Sequence, residues 1–138
     1  MIVVDASVIA TALVDDAGDG DRARERLRGE RLVAPELLDV EVLSAWRRQL
    51  AAGKLDARRA ALALVDLADL RVQRVSHRPL LTRSWELRAN VTASDAVYMA
   101  LAERLDVVLL TADARLGAAP QVRCAVEVLV RASGQRSP

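Results

Sequence analysis

Hydrophobic residues in this chain alternate between short continuous runs and longer stretches of helical period. Ile2-Val3-Val4, Leu32-Val33-Ala34, Val72 to Val75, Val107 to Leu110 and a stretch near Ala125 to Val130 read as strands. Continuous apolar runs of this kind suit strands covered on both faces, as in a parallel sheet. Helical patterns lie between them: Ala6 to Val14, Arg22 to Arg31, Leu37 to Ala52, Asp56 to Leu67, Leu80 to Asn90 and Asp95 to Leu105. The third is the clearest amphipathic helix, with Leu38, Val42, Ala45, Trp46 and Leu50 at helical spacing and Gly53 closing it. In the fourth, Leu62 and Val65 are expected to face inward. The last is nearly all apolar and is expected to be buried. Asp15 to Asp21, rich in Asp and Gly, reads as a loop.

Strands alternating with helices predict an α/β sandwich around a mostly parallel sheet, formed as one domain over residues 1–130. Arg131 to Pro138 reads as a disordered polar tail. In this architecture ligands bind beyond the carboxyl ends of the strands. Asp5 and Asp113 both follow strands at such ends.

Composition narrows the function. The chain has 138 residues, 52% of them hydrophobic, enough for a sizeable core. Trp46, Trp85 and Tyr98 are the only aromatics, which argues against binding nucleic acid by stacking bases on rings. With a net charge of +1, any nucleic acid has to be held by a local patch and by metal. Cys124 is the single cysteine, so neither an internal disulfide nor a cysteine-based zinc site is available. No uncharged run approaches membrane-spanning length, and the N-terminal apolar run is interrupted at Asp5. A soluble cytoplasmic protein is the expectation.

Four carboxylates carry the candidate chemistry, and each has a plain structural alternative. Asp5 precedes a helix and suits an N-cap. Asp95 completes the capping-box pattern Thr92-Ala-Ser-Asp95. Asp113 suits a cap for the turn at Ala114 to Leu116. Glu41 borders an apolar stripe beside Leu37, Leu38, Ser44 and Ala45, where a surface glutamate lays down its stem. Taken together, a fold that winds these strands into one sheet brings the four acids into a common pocket. Carboxylates packed that closely repel one another unless some take up protons. A divalent cation removes the repulsion, and all-oxygen ligation favours Mg²⁺ or Mn²⁺ over zinc.

Val3-Val4-Asp5-Ala6-Ser7, Pro35-Glu36-Leu37-Leu38 leading to Glu41, Ser94-Asp95-Ala96-Val97-Tyr98 and Leu110-Thr111-Ala112-Asp113 together resemble the PIN-domain nucleases. The closest resemblance is to the VapC-type toxins of bacterial toxin–antitoxin pairs, and it covers about Met1 to Val130. It implies a three-layer α/β/α fold and a metal-dependent endoribonuclease that leaves a 3′-hydroxyl and a 5′-phosphate. It also implies roles for the acids. Asp5 and Asp95 are the principal ligands of Mg²⁺ or Mn²⁺. Glu41 and Asp113 bind the metal through water or hold a second ion. Ser7 and Thr111 border the pocket. The chain departs from some relatives by carrying Ala114, Arg115 and Leu116 where they have an additional acid or Asn. A cognate antitoxin and a homodimer are the partners the resemblance implies. Leu37–Ala52 and Asp56–Leu67 are the helices expected to supply the antitoxin groove.

Other readings remain open on the sequence alone. A phosphoaspartyl enzyme also places Asp after an early strand. However, Ser7 stands where a dehalogenase-type pattern wants a second Asp, and Lys54 is mid-chain where a receiver domain wants a late lysine. A metal-poor PIN-like scaffold that only binds RNA or protein is the non-enzymatic alternative. The Arg-rich stretch Asp21 to Arg31 is either a phosphate-binding surface or a solvated helix laced with ion pairs. Arg47 and Arg48 are candidates to face a substrate groove. His77, the only histidine, lies far from the acidic motifs in sequence and reads as structural.

Overall fold

The computed structural model of the chain describes residues 1–130. Strands β1 (Ile2–Val4), β2 (Leu32–Pro35), β3 (Val72–Val75), β4 (Leu109–Thr111) and β5 (Val126–Val128) form one sheet in the order β3-β2-β1-β4-β5. Every pairing is parallel, with Val3 opposite both Val33 and Leu109. The chain fills one half of the sheet, then returns to place β4 on the other side of β1. That reversal opens a crevice at the carboxyl ends of β1 and β4, where ligands bind in open α/β sheets. Asp5 and Asp113 follow those two strands.

The helices are α1 (Ala6–Val14), α2 (Gly18–Leu27), α3 (Leu38–Ala51), α4 (Ala57–Asp69), α5 (Leu81–Glu86), α6 (Ala93–Leu105) and α7 (Ala114–Gly117). α1 packs against α2, α3 and α4, while α6 packs against α5 and across β1, β2 and β4. The result is the expected α/β/α sandwich. All three residues of β1 are buried, as a central strand requires. Ala96 to Leu101 and Ala102 of α6 are buried without interruption, so this helix is apolar on every side and encased. Trp46 of α3 is buried, and its indole N–H donates to Ala10 O of α1 at 3.1 Å, which removes the cost of burying that donor. Gly53 takes a positive φ of 70° just past α3. There Lys54 N donates to Gln49 O at 2.8 Å and Gly53 N to Leu50 O at 3.1 Å, which ends the helix in a Schellman motif.

Several elements differ from the sequence expectation. α2 begins at Gly18 rather than Arg22, absorbing most of the expected loop, and stops at Leu27. Asp19 and Asp21 in its first turn complement the positive end of the helix dipole. Arg24 Nη1 donates to Ala12 O and Asp15 O, both at 2.8 Å, and so pins α2 to the end of α1. In α4, Leu62 and Val65 point outward, each 60% exposed, while Ala63 and Leu67 face the core. An Ala- and Leu-rich segment is apolar on several faces, so its periodicity does not fix which face turns in. Leu50 of α3 is likewise exposed. The expected Leu80–Asn90 helix is a 3₁₀ turn at Arg78–Leu80 followed by the short α5. The fourth strand is shifted to Leu109–Thr111, because Asp106 turns left-handed (φ 54°) to end α6 and Val107 N still bonds Ala102 O. The expected tail, 131–138, lies outside the described residues. Among the described residues no helix is long and apolar enough to cross a membrane.

Candidate metal centre

Asp5 leaves β1 in an extended conformation and stands at the N-cap position of α1, yet its carboxylate makes no capping bond. It is 7% exposed. Its Oδ2 accepts from Ser7 Oγ at 2.6 Å and from Thr111 Oγ1 at 2.8 Å. Those hydroxyls are themselves held: Ser7 Oγ accepts from Ala112 N, and Thr111 Oγ1 from Asp113 N, each at 3.0 Å. The ends of β1 and β4 are therefore joined through one carboxylate oxygen.

Glu41 projects from the first turn of α3. Its Oε1 is buried without a hydrogen-bond partner, and so is the hydroxyl of Tyr98 on α6. Burial pushes the Glu41 carboxyl above the usual range; the Tyr98 hydroxyl opposes this, the charges of Asp5 and Asp95 reinforce it, and Arg48 opposes it again. Asp95 stands in the first turn of α6, where Thr92 Oγ1 caps the helix by accepting from Asp95 N at 3.3 Å. Burial raises the Asp95 carboxyl too, opposed by the Thr92 hydroxyl and reinforced by Asp5 and Asp113. The charges of Asp5 and Asp95 act on Glu41, and those of Asp5 and Asp113 act on Asp95, in addition to burial, while Arg48 and Arg115 offset part of the repulsion.

Asp113 is placed differently. It caps α7 by accepting from Arg115 N at 3.0 Å, and the Arg115 guanidinium covers both its oxygens, Nε to Oδ1 at 3.1 Å and Nη2 to Oδ2 at 2.7 Å. That pairing holds the Asp113 carboxyl below its usual range. Two hollows lie nearby, and Asp113 lines the first of them. One, of about 600 Å³, is lined by Ser7, Thr11, Arg22, Gln49, Asp113 and Arg115 among others. The other, of about 410 Å³, is lined by Arg88, Asn90, Thr92, Asp95 and Arg115 among others. Arg115 stands on the ridge common to both, while Asp5 and Glu41 line neither.

Among the described residues no group of three or more Asp, Glu, His or Cys side chains is arranged so that it could hold a metal ion as it stands. The donor set nonetheless fits a hard cation. It consists of oxygens of like charge, only partly offset by Arg48 and Arg115, and Glu41 Oε1 is buried beside the Tyr98 hydroxyl with no hydrogen bond of good geometry. Mg²⁺ suits such a set, because it usually keeps several waters and takes only one or two carboxylates directly.

Three residues escaped the sequence reading as parts of this centre: Tyr98, Arg115 and, in its electrostatic role, Arg48. Tyr98 was detectable, since it lies three positions after Asp95 on one helix and so shares its face. Arg47 and Arg48 are exposed. The Arg-rich helix is laced with ion pairs: Arg22 pairs with Asp19, Arg24 with Asp21, Arg28 with Glu25, and Arg26 with Glu30 and with Glu127 of β5. His77 is exposed after the edge strand β3.

The comparisons with known proteins agree with this architecture. The family model for the PIN domain matches residues 2–121. Ribonuclease VapC9 of Mycobacterium tuberculosis is 42% identical over 131 residues, spanning 95% of this chain and all of that protein. The crystal structure of PAE2754 from Pyrobaculum aerophilum superposes with a TM-score of 0.67 at 24% identity, covering 92% of this chain and 83% of that one. VapBC2 from Rickettsia felis, solved bound to a DNA fragment from their promoter, gives a TM-score of 0.63 at 12% identity, covering 93% and 98%. A family match over most of the sequence, a relative of matching length and a common fold place this chain in the PIN-domain family.

Proposed function

We propose that this chain is a divalent-metal-dependent endoribonuclease that acts in the cytoplasm as the toxin of a toxin–antitoxin pair. The observation that carries the proposal is the gathering of Asp5, Glu41 and Asp95 within reach of one another's charge, with Glu41 Oε1 buried beside the Tyr98 hydroxyl and making no hydrogen bond of good geometry. Protein interiors rarely leave such an oxygen unsatisfied unless something binds it. The similarity to Ribonuclease VapC9 supports RNA as the substrate.

Asp5 and Asp95 are the principal ligands of Mg²⁺ or Mn²⁺, with Glu41 reaching the ion directly or through water and Asp113 closing the rim. A cation bound there supplies the acidity that makes water nucleophilic at neutral pH and the charge that steadies the departing oxygen. The side chains supply position. Ser7 and Thr111 fix Asp5 through Oδ2, so its other oxygen faces a constant direction. Tyr98, on the encased α6, backs Glu41 and limits its rotation. Water adds to phosphorus, the bond to the 3′ oxygen breaks, and that oxygen takes a proton. The products are a 3′-hydroxyl and a 5′-phosphate, and no side chain becomes covalently attached.

The partner reading rests on exposed apolar residues. Val40 and Leu43 of α3 and Leu62 and Val65 of α4 are between 44% and 65% exposed. Apolar side chains gathered on exposed helix faces suit a protein partner, here a cognate antitoxin. A homodimer is the further assembly we infer, from the resemblance to the VapC-type toxins.

The deciding experiment measures cleavage of total RNA by the wild type, Asp5→Asn and Asp95→Asn, with Mg²⁺ and with excess EDTA. Cleavage is expected only from the wild type with metal. Full activity in either variant, or in EDTA, sinks the proposal.

A further inference from the structure

We propose that the Arg115 guanidinium takes the place of a second metal ion in this pocket, so that the site loads one divalent cation. The inference rests on the metal reading above and concerns how many ions that reading allows.

Asp113 has two carboxylate oxygens, and Arg115 covers both, through Nε at 3.1 Å and Nη2 at 2.7 Å. The backbone N–H of Arg115 adds a third bond, to Oδ1 at 3.0 Å. A planar guanidinium held by two parallel bonds is the strongest arrangement available to a carboxylate and an arginine. A cation seeking Asp113 as a ligand has to displace that fork and approach a fixed positive charge. Arg115 is separated from Asp113 by one residue, so its effective concentration there is high.

The position is also right for the role. Arg115 lines both hollows, one shared with Asp113 and Ser7 and the other with Asp95. It therefore supplies positive charge beside both Asp113 and Asp95, the pair that a second ion would otherwise neutralise. Among the described residues no arginine fork covers Asp5, Glu41 or Asp95, and the inference assigns the single ion to these three.

The test counts Mn²⁺ ions on the full-length chain, using the paramagnetic resonance signal of free Mn²⁺ during titration, with the metal alone as probe. The wild type is expected to saturate at one Mn²⁺ per chain. Arg115→Ala is expected to bind a second, and Arg115→Ala combined with Asp113→Asn is expected to return to one. Arg115→Lys, which keeps the charge, is expected to stay nearer one than two at the concentration that gives Arg115→Ala its second ion. Because Arg115 is 86% exposed and its capping bond comes from the backbone, these variants are expected to fold. Two ions on the wild type, or one on Arg115→Ala, overturn the inference and leave the metal reading standing. No ion on either protein overturns both.

Discussion

Thr111 Oγ1 donates to Asp5 Oδ2 across 2.8 Å, although the two residues are 106 positions apart in the chain. This bond orients a candidate metal ligand from the neighbouring strand. Thr111→Val keeps the shape and removes the donor. It is expected to lower Mn²⁺ affinity and the rate of RNA cleavage by about 10- to 100-fold, the usual cost of losing a partner that orients a ligand. Ser7→Ala is expected to act in the same direction. Calorimetric Mn²⁺ titration beside cleavage kinetics checks both, and unchanged values in Thr111→Val would show that Asp5 needs no orientation.

The raised carboxyls of Glu41 and Asp95 make the metal-free fold sensitive to pH. Between their ordinary values and their raised folded values, the native chain holds more protons than the unfolded one. Stability therefore falls as pH rises through that window, and the penalty is complete above it. At neutral pH in EDTA, Glu41→Gln and Asp95→Asn are each expected to melt about 2–4 °C above the wild type. At acid pH, where the wild-type groups are protonated, the difference is expected to vanish. Thermal melts at the two pH values decide it, and a lower melting point for both variants at neutral pH would contradict the shared repulsion.

Metal is expected to reverse that order. Saturating Mg²⁺ binds the folded state alone and raises the wild-type melting temperature. Asp95→Asn is expected to gain little, so the wild type overtakes it. Differential scanning fluorimetry across a Mg²⁺ series reads the crossing directly.

Gly20 has no room for a side chain. A Cβ built there would lie 1.8 Å from Asp15 O, a backbone atom with little freedom to retreat. Gly20→Ala is expected to cost about 3 kcal/mol by forcing α2 away from the end of α1, at the upper end of overpacking penalties. Urea denaturation measures the loss, and a variant as stable as the wild type would show that the α1–α2 corner adapts freely.

Leu62 is expected to matter for assembly rather than for folding. Leu62→Asp places a charge on the outward face of α4 and is expected to leave the melting temperature within about 2 °C of wild type. Binding to the co-expressed antitoxin is expected to weaken at least about tenfold, the effect of removing an anchor from an apolar interface. Pull-down against the wild type tests this, and undiminished capture would remove α4 from the interface.

Much of this arrangement is legible in the order of residues. The acids at Asp5 and Asp113 stand out because each terminates a continuous apolar run, and such runs become parallel strands. Asp95 stands out because Thr92 marks the start of a helix with no polar face. What the sequence withholds depends on contacts between distant segments. The hydroxyl bridge from Ser7 and Thr111 to Asp5 joins opposite ends of the chain. The outward turn of Leu62 and Val65 is hidden because their neighbours are apolar too, so only the packing against α1 chooses the face. Gly20 looks like a loop glycine, yet it is a close-approach position inside a helix.

Asp95 rides on α6, whose middle is enclosed on every side. If Asp95 holds the metal as proposed, the candidate site and interior packing share one foundation: a substitution deep in that helix moves this carboxylate as surely as it loosens the protein. Residues at the edges of the two hollows, such as Arg88, Asn90 and Gln49, stand apart from that helix, so substitutions there leave its packing untouched.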